Sequence, residues 1–180
     1  MIPAPPLLPD ETLARVTRLA RFDGMGILAI AGAFALGSAA MGDYRGAAIG
    51  VAIAGAGACE LHGVSLLQQG QSRGVSWLVG SQLYLLMTVL GYVAWRLTNY
   101  DPELMRQLAE PVLQNPEAQA KMTAAGATPE DLLEMVQLLY RIGYGAVGAL
   151  TLLYQGGMIR YYQHRRDAIA TALGDAPALK

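Results

Sequence analysis

One cysteine, two histidines, two tryptophans and two phenylalanines leave little material for several kinds of chemistry. Cys59 alone cannot close an intramolecular disulfide, lies inside an apolar run and belongs to no zinc motif. His62 and His164 fall at different depths of the chain's hydrophobic pattern, so they do not form a haem ligand pair. No GxSxG, Walker-type or HExxH spacing occurs, and no paired intramembrane carboxylates are expected. No catalytic residues, metal or cofactor are therefore predicted. Charge is also scarce: 15% of residues are charged and the net charge is −1. No basic stripe with interleaved aromatics suggests nucleic acid as a partner.

What the chain has instead is apolar length. At 180 residues it suits one domain, and 53% of it is hydrophobic, with a mean hydropathy of +0.31. The charges collect in an N-terminal tail, in 99–136 and in a C-terminal tail. Between them lie four apolar runs, 24–41, 46–67, 75–97 and 138–159. Each is long enough to cross a hydrocarbon core of ~30 Å at ~1.5 Å per residue. The predicted fold is all-α, a four-transmembrane-helix bundle with a small helical extracytoplasmic cap between the third and fourth spans. Its expected divisions are a tail with an interfacial amphipathic helix (1–23), three spans (24–98), an acidic outer cap (99–136), a fourth span (137–160) and a basic tail (161–180). No basic segment precedes the first apolar run, so a cleavable signal peptide is not expected.

Orientation follows from where lysine and arginine lie. One side would carry Arg15, Arg18, Arg21, Arg73, Arg160, Arg165, Arg166 and Lys180; the other would carry Arg45, Arg96, Arg106, Lys121 and Arg141. The first group is larger and nearer the span ends, which predicts both termini on the cytoplasmic side of an inner-type membrane. Aromatic belts fit the same frame, with Tyr44, Tyr92, Trp95, Tyr100, Tyr140 and Tyr144 at one interface and Phe22, Trp77, Tyr161 and Tyr162 at the other. Arg160, Arg165 and Arg166, beside Tyr161 and Tyr162, suit anionic lipid headgroups.

In the outer segment one device recurs: Asp101, Asn115 and Thr128 each precede a proline and then a glutamate. A capping side chain, a proline at the first helical position and an acid near the N-terminus all favour helix starts there. Two short helices and a third running into the fourth span are predicted, with Gly126 ending the second. Seven acids against two basic residues make the segment acidic. Attraction of cations is one reading of that charge, and a solvated face is the plainer one.

Small residues form the main packing signal. Gly46, Gly50, Ala54 and Ala58 recur every four residues, Gly63 lies on a neighbouring stripe, and the first span contributes Ala29, Ala33 and Gly37. Close backbone approach drives helix association in lipid, so these stripes serve contacts within the bundle or between protomers. The expected partners are the bilayer and either further copies of the chain or other membrane subunits.

Glu60 is the main chemical signal, because an ionisable residue within a span is costly and by default functional. It would lie roughly 12 Å from the inner edge at the helical rise. At the same level stand Gln82 and Tyr84 (with Ser81) on the third span and Thr151, Tyr154 and Gln155 on the fourth. His62 is two residues from Glu60, about 200° around the helix, so the two cannot share one ligand. The polar layer reads either as a site for a proton, cation or small solute in a channel or transporter component, or as a neutral hydrogen bond from Glu60 to Gln82 or Tyr154. In the second reading the protein is a non-catalytic membrane subunit or homo-oligomer.

Overall fold

A computed structural model describes residues 8–99 and 102–174. Tyr100, Asp101 and Lys180, named above, lie outside them, as do residues 1–7. Six helices account for the architecture, and no strand occurs among the described residues: α1 (Pro9–Ala40), α2 (Tyr44–Gln68), α3 (Gly74–Thr98), α4 (Pro102–Leu113), α5 (Pro116–Ala124) and α6 (Pro129–Ala172). Of these, α1, α2, α3 and α6 are long and apolar enough to cross a membrane. Large side chains such as Ile30, Leu36, Val51, Met87 and Leu153 point outward on them. Such surfaces are unfavourable in water and suited to lipid, which supports membrane insertion.

The chain divides into two compact units, Met1–Leu90 with Thr151–Lys180, and Gly91–Leu150. In the first, α1 and α2 form an antiparallel hairpin. Gly42 takes φ +77°, and Asp43 N–H donates to the Ser38 carbonyl at 2.9 Å, which closes the end of α1. The Asp43 side chain then caps α2 by accepting from Gly46 N–H at 2.9 Å. Gly70, at φ +76°, ends α2 in the same way, with Gln71 N–H donating to the Leu66 carbonyl at 2.9 Å.

Backbone contact holds the hairpin together. A Cβ placed on Gly57 would lie 2.6 Å from the Gly24 carbonyl oxygen, and one on Gly50 would lie 2.8 Å from the Ala35 methyl. Gly46 meets Ser38, and Gly63 and Gly74 bring α2 against α3. Four residues turn a helix by about 400°, so a strict four-residue stripe drifts by about 40° per step. Gly46 and Gly50 therefore face α1, Ala54 is half-buried and Ala58 is exposed, while Gly57 takes up the contact. Gly37 is likewise exposed, and its place against α2 is held by Ala31, Ala35 and Ser38.

The apolar core of this unit joins Val16 and Ala20 of α1, Val64 and Leu67 of α2, Val75 and Leu78 of α3, and Met158, Tyr162 and Ile169 of α6. Segment 10–22 is thus the first part of an unbroken α1, with one face packed in the core and Arg15, Arg18 and Arg21 exposed.

In the second unit, Asn115 caps α5 by accepting from Glu117 N–H at 3.0 Å. Thr128 caps α6 reciprocally: Asp131 N–H donates to its hydroxyl at 3.3 Å, and its own N–H donates to the Asp131 carboxylate at 2.8 Å. Where α3 and α6 belong to this unit, Arg96 Nε donates to the Tyr144 hydroxyl at 3.2 Å. The guanidinium lies 5.6 Å from the ring centres of both Tyr140 and Tyr144, and Tyr92 packs edge-on against Tyr144. An arginine held over aromatic faces keeps its charge solvated by ring quadrupoles, so it can sit near an apolar surface.

Candidate functional site

Glu60 is fully buried on α2, with a relative exposure of 0%. Its Oε1 accepts two hydrogen bonds, from Gln82 Nε2 of α3 at 2.9 Å and from the Tyr162 hydroxyl of α6 at 2.7 Å. The same Gln82 nitrogen also donates to Asp23 Oδ2 of α1 at 3.1 Å. The other Asp23 oxygen, Oδ1, accepts from the Tyr154 hydroxyl of α6 at 2.9 Å. One residue from each of α1, α2 and α3 and two tyrosines from α6 thus form one connected polar cluster.

Gln82 holds the two carboxyl groups together. Turning its amide over would aim its oxygen at both carboxyls, so the nitrogen faces them. Because both lie on one nitrogen, at 2.9 and 3.1 Å, the facing oxygens of Glu60 and Asp23 are no more than about 6.0 Å apart. Two negative charges at that spacing repel by roughly 3 kcal/mol at an effective dielectric near 20, less the solvent screening that reaches half-buried Asp23.

The donors of Gln82, Tyr154 and Tyr162 are all spent. Two bonds from Gln82 and one from each tyrosine satisfy Asp23 and Oε1 of Glu60. Glu60 Oε2, Gln82 Oε1 and Gln155 Oε1 remain buried without a hydrogen-bond partner among the described residues. Each unsatisfied buried acceptor costs about 1–3 kcal/mol. An excess of acceptors with no arginine or lysine hydrogen-bonded to them is suited to a proton or to a cation that prefers oxygen.

The remaining residues expected at this level behave differently. Gln155 is buried on α6, and Ser81 is buried with its hydroxyl donating to the Leu78 carbonyl at 2.8 Å. Thr151 is half-buried. Tyr84 is exposed and borders a shallow groove with Cys59, Trp77 and Gly80. His62 is exposed too, edge-on to Trp77 with ring centres 4.7 Å apart, on a different face from Glu60. Tyr154 reaches Asp23 rather than Glu60, and the Glu60 partner on α6 is Tyr162, two turns further on.

Asp23 and Tyr162 were not among the expected site residues. The span boundaries, drawn from apolar runs, left both in the tails. The signal for Asp23 lay in the pattern Val16, Ala20, Gly24, Ala31, whose buried face continues back from the span and passes beside Asp23. No group of three or more histidine, cysteine or acidic side chains able to hold a metal occurs among the described residues. Arg160 and Arg166 are exposed, whereas Arg165 lies 5.4 Å from the Tyr161 ring centre.

Comparison with protein-family models, with curated proteins and with solved structures gave no significant match. The class of protein is accordingly defined by its own architecture: helices and no strands among the described residues, four of the helices of membrane-spanning length and apolarity, and a two-carboxyl polar cluster of fully buried Glu60 and half-buried Asp23 shared by those four.

Proposed function

We propose that this protein is a channel or transporter component of an inner-type membrane, and that it binds a proton or a cation at Glu60 within a four-span bundle. The supporting observation is the acceptor excess: two carboxyls bridged by one amide, with Glu60 Oε2 buried and unpartnered. A structural hydrogen bond would need one carboxyl and its donor. A second carboxyl on the same nitrogen adds repulsion that a bound cation or proton removes. In this reading Glu60 is the binding group, Gln82 fixes both carboxyls, Tyr154 holds the outer oxygen of Asp23, and Tyr162 shares Glu60 Oε1 with Gln82, leaving Oε2 for the ligand. The lysine and arginine distribution sets both termini on the cytoplasmic side, with 99–136 as an acidic outer cap.

The test is flux into reconstituted vesicles under an imposed membrane potential, with an internal pH dye for protons and with sodium or potassium in turn. Glu60→Gln should abolish flux while leaving helix content and particle mass unchanged. Equal flux from the wild type and Glu60→Gln, or none from either, rejects the proposal.

A second reading, a non-catalytic subunit that works by assembling with itself or with other membrane proteins, draws on a separate observation. Gly55, Gly80, Gly143, Gly145 and Gly156 have no neighbouring atom within 4 Å of where a Cβ would stand. Outward glycines on membrane helices permit close contact with another helix. The mass of the solubilised particle distinguishes the cases, a single-chain mass rejecting self-assembly.

A further inference from the structure

Two clefts along α1 share Leu19 and Phe22 as lining, and the proton or cation reading leaves them unused. The first, about 530 Å³, is lined by Arg15, Arg18, Leu19, Phe22 and Tyr161. The second, about 500 Å³, shares Leu19 and Phe22 with it and continues past Gly26 and Ile30 to Phe34. Arg15, Leu19, Phe22, Gly26 and Ile30 follow the three-and-four spacing of a single helix face, so the clefts follow a stripe along α1. One end of it is cationic and the rest apolar. Arg165 adds a further positive charge at the cationic end through its contact with Tyr161. Asp23 borders the apolar part, but both of its oxygens are engaged by Tyr154 and Gln82.

We infer that this stripe is a binding site for an anionic glycerophospholipid. The phosphate lies between Arg15 and Arg18, within reach of Arg165, and one acyl chain lies along Leu19, Phe22, Ile30 and Phe34. Charge complementarity selects the headgroup, since arginine offers paired donors to phosphate oxygens. Length selects an acyl chain: Leu19 to Phe34 is about 22 Å of helix at 1.5 Å per residue, enough for the ~15 Å that one leaflet's chains fill. Gly26 leaves room for the chain, as no atom lies within 4 Å of its Cβ position. A soluble phosphate compound would use the arginines but leave the apolar length uncovered.

Native mass spectrometry of the delipidated full chain, titrated with palmitoyl-oleoyl phosphatidylglycerol and with the phosphatidylcholine of the same chains, tests the site. The wild type should retain phosphatidylglycerol at least tenfold more tightly. Arg15→Ala with Arg18→Ala should lower that preference on the order of tenfold, in line with the surface attraction of two arginines. The exposed pair Arg160→Ala with Arg166→Ala should change it less than threefold. Gly26→Leu, which fills the apolar part and leaves the arginines in place, should weaken phosphatidylglycerol binding at least threefold. Equal retention of the two lipids, equal losses from the two arginine pairs, or full binding by Gly26→Leu would each overturn the inference.

Discussion

Gly57→Ala links the packing of the hairpin to the polar cluster, and its effect can be worked from the structure. The new methyl would lie 2.6 Å from the Gly24 carbonyl oxygen and 2.8 Å from Leu28 N, both backbone atoms that no rotamer change can move. Ordinary contact begins near 3.4 Å, so α1 and α2 must separate locally by about 0.8 Å. Overpacking of this kind costs about 1–3 kcal/mol, against a gain in helix propensity of up to about 1 kcal/mol. Gly24 is adjacent to Asp23, whose hydrogen bond to Gln82 is 3.1 Å long. Because Gln82 stands on α3, the full 0.8 Å is the upper limit of the lengthening, and it would take the bond to about 3.9 Å, past hydrogen-bonding range. The comparison variant is Gly55→Ala, two residues away on the same helix, where a Cβ meets no atom within 4 Å. It gains the same propensity without the clash. Thermal unfolding in one detergent, followed by circular dichroism, should show Gly57→Ala destabilised and Gly55→Ala unchanged or stabilised. Equal midpoints for the two variants would refute the packing, and with it the placement of Asp23.

Further expectations follow from the other contacts. Gln82→Leu keeps the side chain's bulk but removes one of the two donors to Glu60 Oε1 and the donor to Asp23 Oδ2, together with the unpartnered Gln82 Oε1; it should destabilise the protein by about 1–3 kcal/mol in reversible detergent unfolding, each lost hydrogen bond being worth about 0.5–1.5 kcal/mol. Tyr162→Phe should be costlier than Tyr154→Phe in the same assay, because the first removes a donor to fully buried Glu60 and the second a donor to half-buried Asp23. Arg96→Leu should cost about 1 kcal/mol through loss of its ring contacts and change the near-ultraviolet dichroism of the surrounding tyrosines. Thr128→Ala should accelerate amide hydrogen exchange at residues 130–132 at the start of α6, since it removes the acceptor for Asp131 N–H.

The helical class and the number of membrane-length helices were readable because each depends on one-dimensional information. Apolar length marks α1, α2, α3 and the later part of α6, and proline with a preceding cap residue marks the starts of α5 and α6. The reciprocal pairing of Thr128 with Asp131 goes beyond that signal, because the third helical position is the one that faces back onto the cap. Glu60 and Gln82 were legible as polar residues at one depth. Asp23 was not, because hydropathy assigns a charged residue at the edge of an apolar run to the flank. The interhelical geometry that turns it inward is set by Gly24 and Gly57 in three dimensions. Tyr162 was hidden for a related reason: α6 runs on to Ala172, past its apolar segment, and its buried face continues through Met158, Tyr162 and Ile169. The small-residue stripes were visible, but a period of four differs from the helical period of 3.6, so the stripe and the contact face part company by Ala58.

Proton or cation binding at Glu60 is tested by modification of the protein, in membranes, with a membrane-permeant hydrophobic carbodiimide, located by peptide mass spectrometry and repeated across pH and in sodium or potassium. If Glu60 binds a proton or a cation, the label should fall on Glu60, and its rate should drop when the proton is withdrawn at high pH or a cation occupies the site. An absence of label at Glu60, or labelling indifferent to both pH and cation, would mean that Glu60 binds neither.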